Sequence, residues 1–527
     1  MAVMTPSDRA PWALALLSTL ALGAVRLHVA WGTGFGDAEA LYASYALHPQ
    51  PAYLDHPGLV GSIARLIGRG GAPSPLEAHL VTACAAGLVP WVAGFASRAA
   101  GATTRGALGV VLALTWVPEL AIGLFGLTPD LPLALCWLGA LALAAMAARA
   151  PAQSFRALLY TLGVGALVGL ATLAKVSGLL LGLGLFAASL GPGLRSRYRT
   201  LAPWGALAVA LVLMAKVLHY ELSEGWPMAR HRLIATQTAS GFSLRNLGAF
   251  LGGQLAYLTP PFLVGAALVA RDLFRRRRED AVSALLFWCT VLVALPLGGI
   301  CLWSRVAEPH WFAPAYLALA VHLGRAEAVG PRLSRASVYT GVTVVAFAWL
   351  WIRTPLAPRL LGDAYRARYD LANDLYSWKP GALLLDESLE AARREGGGSV
   401  VVVGPHWIVC AQAHAHLGRR ALVGCNGPRR DDFDGWLPRA RWASARHVLY
   451  VHDSRFALDP ERELPGRVVR SVREANVVRG GRVVRTLWVT HLERLSDYAG
   501  SAVSPALRSK SVSSSGPGFG VVRSFSP

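Results

Sequence analysis

Residues 11–42 read PWALALLSTLALGAVRLHVAWGTGFGDAEALY. An apolar run from Pro11 to Trp31 is followed at once by two carboxylates, Asp37 and Glu39. A helix of about 20 apolar residues crosses the hydrocarbon of a bilayer. The run is long and lacks a small-residue cleavage site before the acids, so it reads as an uncleaved first span and not as a signal peptide. An ionised side chain costs about 2.5–3.5 kcal/mol at the centre of a span. Carboxylates grouped at its lip therefore point to chemistry at the membrane surface. A second polar group, Tyr53-Leu54-Asp55-His56-Pro57-Gly58, follows on the same loop.

The rest of the chain fits that reading. Its 527 residues are 54% hydrophobic and only 16% charged, which excludes an ordinary soluble protein of this length. The net charge of +20 comes largely from arginines in short loops between apolar runs, the pattern of cytoplasmic membrane loops. No nucleic-acid-binding motif accompanies them, so a nucleic acid is not an expected partner. Eleven apolar runs are candidate spans: 11–31, 76–97, 106–126, 130–148, 157–174, 176–191, 201–219, 248–270, 281–302, 311–324 and 337–353. With the N-terminus inside, the inner loops hold Arg98, Arg149, Arg197, Arg325 and the Arg275–Arg278 run, a topology anchor. Asp37, Asp55, Asp130, Lys175, Arg230, Arg232 and His310 then fall on the outer side, as does everything after the last span. The expected fold is an α-helical polytopic membrane protein of about 11 spans with a small C-terminal α/β domain outside the cytoplasm. The domains are 1–353, with the outer loop 32–75 carrying the acidic motifs, 354–498, and a Ser- and Gly-rich tail, 499–527, expected to be disordered.

Within the outer domain, 398–404 and 447–452 read as buried strands, 386–395 and 407–417 as helices, and 465–472 with 480–490 as a hairpin turned at Gly480-Gly481. Cys84, Cys136 and Cys289 fall in spans as packing residues. Cys410 and Cys425 share the outer domain, where a disulfide between them is one of two open readings. His414 and His416, two apart on a helix, face different sides and make a poor metal pair.

Each polar site has a structural and a functional reading. Asp37 is a helix cap or a base. Asp130, before Pro132, starts a span. Lys175 snorkels between two apolar runs or faces a cavity as a phosphate ligand. His310 is a polar cap or a phosphate donor, and Trp311 beside it suits a membrane interface. Arg230-His231-Arg232 puts cations on the outer side, against the trend, which favours an anion there.

Taken together the motifs resemble the bacterial protein O-mannosyltransferase-like membrane glycosyltransferases of the glycosyltransferase C superfamily, a group that includes the aminoarabinose transferases of lipid A. The resemblance runs from about residue 11 to 440. The Asp-Glu-Ala-x-Tyr motif corresponds to Asp37–Tyr42, with Ala38 separating the acids. Tyr-x-Asp-His-Pro-Pro corresponds to Tyr53–Gly58, with Gly58 for the second proline. Pro129–Pro132, Lys175–Gly178, Pro309–Tyr316 and Asn373–Trp378 match further elements in order. The resemblance implies transfer of a sugar from a polyprenyl-phosphate donor to a hydroxyl of an envelope lipid, glycan or protein at the bacterial inner membrane. It implies catalytic roles for Asp37, Glu39 and Asp55, with Asp37 the favoured base. His56, Lys175 and His310, then Arg230 and Arg232, would hold the phosphate, with Asp130 and Trp311 lining the site. No cofactor is required; a divalent metal at Asp55, as some relatives carry near this loop, is the one the resemblance allows. Two other classes compete. A lipid transporter would show inverted repeats and broken helices, and the sequence displays neither. A non-catalytic envelope assembly factor would fit the interrupted acidic pair.

Overall fold

The computed structural model describes residues 6–191, 193–238, 240–396 and 400–495. The tail expected to be disordered, 499–527, and the start of the strand expected at 398–404 lie outside the described residues. The chain is mostly helical. Its first span is α1 (Pro6–Ala30), followed by two short helices, α2 (Asp37–Tyr45) and α3 (Leu59–Ile67). Then come α4 (Pro75–Ala99), α5 (Thr104–Thr115), α6 (Pro118–Gly123), α7 (Asp130–Arg149), α8 (Phe155–Ala174), α9 (Gly178–Ser189) and α10 (Ala202–Ser223). The short α11 (Pro227–Leu233) leads to α12 (Leu244–Arg276), α13 (Ala281–Trp303), α14 (Pro314–Leu323) and α15 (Pro331–Arg353). Eight of these helices are long and apolar enough to cross a membrane, and α5, α9 and α14 are shorter apolar helices. Each of the eleven expected runs thus contains one apolar helix, but three are short.

Two of the runs are broken, which corrects the expectation of unbroken spans. The run 106–126 divides because Pro118 has no amide hydrogen to give to the preceding turn; α5 stops at Thr115 and α6 restarts at Pro118. In α12, Thr259 has φ +64 directly before Pro260-Pro261, so the helix is interrupted in its middle. A bilayer tolerates such backbone only where it lines protein or a cavity.

After α15 the chain passes through α16 (Leu356–Leu361) to α17 (Asp374–Gly396), which begins twelve residues before the helix expected at 386–395. The remaining strands and α-helices are β1 (Val400–Gly404), α18 (Trp407–Leu417), β2 (Leu422–Cys425), α19 (Asp432–Trp436), α20 (Arg439–Ala443), β3 (His447–Asp453), α21 (Pro460–Glu463), β4 (Arg467–Arg479) and β5 (Arg482–Arg494). They form one mixed sheet in the order β2-β1-β3-β5-β4. β1 runs parallel to β2 and β3, and β5 antiparallel to β3 and β4. The hairpin turn takes Gly480 and Gly481 at φ +58 and +77, where a side chain would strain the backbone. β4 is the outer edge; its register shifts at Arg470 and at Val477/Val478, and Arg470 and Glu474 are exposed on it. Cys410 and Cys425 are buried free thiols, so the disulfide reading is not realised; Cys84 is exposed on α4 while Cys289 is buried.

The outer domain sits directly on α2 and the loop after it. Ser44 donates to the Ala411 carbonyl of α18, and Gln412 to the Phe35 carbonyl. Asp432 accepts from the Tyr45 hydroxyl and from the Leu54 amide, both at 3.0 Å. His48 stacks on Trp436 at 4.4 Å and its Nε2 lies 2.8 Å from Nε2 of His414. One imidazole must donate and the other accept, so the accepting ring must be neutral and the pair is lost when both are protonated. Burial, with the Arg419 charge, pushes His48 down to about 4, and burial beside His48 pushes His414 down to about 3. Their folded values lie below the unfolded value of about 6.5, so their contribution is complete above that pH and is lost as pH falls towards 4. Protection of the α18 amides, corrected for the intrinsic pH dependence of exchange, should fall between pH 6.5 and 4, and His414→Gln should reduce that fall. The variant separates it from Asp432, whose carboxyl burial pushes up to about 6 and whose slope runs the other way.

Candidate active site

Four loops and helix ends meet at one polar patch. α8 ends at Ala174, and Lys175 leaves it in an extended conformation with Nζ 2.7 Å from Oδ1 of Asp130, the first residue of α7. Trp311 lies under both nearby cations, 6.0 Å from Lys175 Nζ and 5.5 Å from the Arg232 guanidinium. Arg232, on α11, pairs with Asp55 at 3.2 Å and reaches Nε2 of His56 at 3.5 Å. His231 stands 3.5 Å from the same Asp55 oxygen. His310 Nδ1 pairs with Glu308 at 2.9 Å. Tyr42 of α2 packs its ring edgewise on His56 at 5.5 Å.

The charges follow from these contacts. Burial alone would raise the Asp55 carboxyl, but the His231 hydrogen bond and the Arg232 charge outweigh it and hold Asp55 well below the usual carboxylate range. Burial and the charges of Arg232 and Lys175 push His56 down to about 3, so it is a neutral imidazole near pH 7. That corrects its expected part as a cation. His310 moves up: burial opposes the shift, and the bond to Glu308 overcomes it. The basic groups of the patch are Arg232, Lys175 and a Glu308-paired His310. Arg230 is exposed, near Gly225, and joins none of these pairs. Among the described residues no three His, Cys, Asp or Glu side chains are grouped to hold a metal. Asp55 and His231 alone do not fit one.

The two acids of the first motif point apart. Glu39 is buried, and its carboxylate accepts from Gly36 N (2.8 Å), Leu127 N (2.7 Å) and His79 Nε2 (3.0 Å). Burial raises it, but His79 and the two amides outweigh that and keep it below its ordinary value. It closes the first turn of α2 and ties that turn to the loop before Asp130. Asp37 turns instead to the outer domain. Its Oδ2 accepts from Arg455 Nη1 at 2.5 Å, while Arg455 Nη2 bonds Asp453 at 2.8 Å and Arg485 bonds Asp374 at 2.7 Å. Three carboxylates share two guanidiniums, and burial with the Asp37 charge pushes Asp374 up to about 6.

Residues 71–220 match the family model described as dolichyl-phosphate-mannose-protein mannosyltransferase. No curated protein matches the chain. ArnT from Cupriavidus metallidurans, solved bound to undecaprenyl phosphate, superposes with a TM-score of 0.60 at 17% identity over 91% of this chain and 97% of that one. Its apo form gives 0.59 at 17% identity over 90% and 97%. The chain has the glycosyltransferase C fold. The archaeal oligosaccharyltransferase AglB from Archaeoglobus fulgidus aligns over 84% of this chain and 69% of its own, with a TM-score of 0.48 at 14% identity.

In this glycosyltransferase C fold a cavity of about 980 Å³ runs between α1, α5, α12, α14 and α15. Its walls are apolar; Arg105 and Arg335 mark one end, Glu119 and Asp130 the other. Asp130 thus belongs both to the cavity and, through Lys175, to the polar patch. Sequence reasoning named Asp55, His56, Asp130, Lys175, His231, Arg232, His310 and Trp311, which this patch unites, and did not select Tyr42, Glu308 or Glu119. Tyr42 ends the acidic motif itself, and Glu308 adjoins chosen residues; those were readable signals. A Cβ on Gly126 would stand 2.7 Å from Glu39 Oε1. Gly126→Val should therefore displace that carboxylate and cost about 1–3 kcal/mol, read as a lowered thermal midpoint in detergent.

Proposed function

We propose that the chain is an inverting glycosyltransferase that moves a sugar from a polyprenyl-phosphate donor to a hydroxyl of an envelope lipid, glycan or protein on the outer face of a bacterial inner membrane. One observation carries this reading: Lys175, Arg232 and His310, from three separate segments, converge around Trp311 beside an apolar cavity that opens at Asp130. The cavity suits a prenyl chain, and the cations suit its phosphate. ArnT, with the same fold, was solved with undecaprenyl phosphate bound, which supports the donor class.

The acceptor oxygen attacks the anomeric carbon opposite the phosphate. The new carbon–oxygen bond forms as the bond to phosphate breaks, through an oxocarbenium-like transition state. The departing phosphate takes the electron pair and is stabilised by Lys175, Arg232 and His310. Asp37 takes the acceptor proton. It stands at the seam with the outer domain, on the helix whose next turn carries Tyr42 against His56, so acceptor and donor sides share α2. It is paired to Arg455 and must release that arginine, which keeps Asp453 as its partner.

Asp37→Asn should abolish transfer from a labelled polyprenyl-phosphate sugar while insertion stays intact; full activity would reject Asp37 as base. Lys175→Ala should lower kcat by about 10²–10³-fold, the usual loss for one preorganised donor. The break in α12 favours the transporter reading as a second possibility. Purified protein in vesicles separates the classes: transfer, translocation without transfer, or neither, as for an assembly factor.

A further inference from the structure

Glu119 differs from every other carboxylate around the patch. Asp37, Asp55, Asp130 and Glu308 each hold a cation. Glu119 makes no hydrogen bond or ion pair with any described residue. It is half-buried on α6, directly after the break that ends α5, and it lines the outer end of the apolar cavity with Asp130 and Tyr316. Tyr316 cannot serve it, because its hydroxyl donates to Gln254 Oε1 at 3.0 Å, and Gln254 Nε2 in turn donates to the Pro309 carbonyl at 3.0 Å. Lys175 is committed to Asp130, and His310 to Glu308.

A carboxylate on an apolar wall without donors is costly unless a ligand supplies them. A prenyl chain has none to give, and a phosphate would be repelled. Sugar hydroxyls are the donors that a lipid-linked substrate brings to this place. We propose that Glu119 is a specificity-determining residue that accepts hydrogen bonds from hydroxyls of the donor sugar. This rests on the donor reading given above. The charges then orient the head group: phosphate turns to Lys175 and Arg232, and the sugar turns to the acid on α6. The break between α5 and α6 is what lets a carboxylate enter the cavity wall at that depth.

The test measures binding to the full-length protein in nanodiscs. The probes are undecaprenyl phosphate and a panel of undecaprenyl-phosphate hexoses and pentoses. Wild-type protein should bind one sugar-bearing lipid more tightly than the bare lipid. Glu119→Leu should weaken that lipid about ten- to hundredfold, the loss expected for hydrogen bonds to a charged group, and leave bare undecaprenyl phosphate unchanged. Glu119→Gln, which keeps one acceptor oxygen, should fall between. Equal weakening of both lipids would mark a structural role and overturn the assignment, as would unchanged binding of the sugar-bearing lipid or no sugar preference in the wild type. Failure of the wild type to bind any polyprenyl phosphate would instead remove the donor reading itself.

Discussion

The buried carboxylate of Glu39 is the contact on which the rest of the arrangement depends. It joins three parts of the chain that nothing else binds so directly: the start of α2, His79 of α4, and the Leu127 amide just before α7. A charge taken out of water is costly unless several donors meet it, and here two backbone amides and an imidazole do. Once Glu39 is fixed, the helix register places Asp37 and Tyr42 on different sides of α2, about 140° apart at 100° per residue. Asp37 is thereby turned to the C-terminal domain and Tyr42 to His56 in the polar patch. The Leu127 bond also fixes the loop from which Asp130 starts α7 and meets Lys175.

That arrangement makes the seam between membrane and outer domain an electrostatic element and not a linker. Asp37, Asp374 and Asp453 exceed Arg455 and Arg485 by one charge, and Asp374 bears the strain of the surplus. Asp37 is therefore held by the C-terminal domain through Arg455, which also binds Asp453.

Much of the fold was legible because bilayer physics imposes long, one-sided signals. The span expected at 130–148 is found at 130–149, and the helix at 407–417 keeps both its ends. What escaped was local or very distant. The Trp116-Val117-Pro118 break was readable from proline alone but was hidden inside an apolar run. β2 has four residues, Leu-Val-Gly-Cys, too few for a periodic pattern. α3 follows Gly58, which has no side chain to cap it, and the first half of α17 was missed although Asn373-Asp374 is a readable start, because Pro380 argues against a helix running through it. The motif order identified Asp55, Asp130, Lys175 and His310 as partners of one site, but the pairing of Asp37 with Arg455, 418 residues away, leaves no local trace. The side chain that best distinguishes the cavity, Glu119, was passed over because a lone acid within a span lacks a motif to flag it.

The hairpin of β4 and β5 leaves the thirteen-residue β4 as an open border of the sheet. Unpaired strand edges recruit other strands, and long ones invite aggregation. This border is blunted by its two register shifts, while Arg470 and Glu474 turn back to Glu493 and Trp488 of β5. The domain can thus keep a strand border open without offering a flat template to other chains.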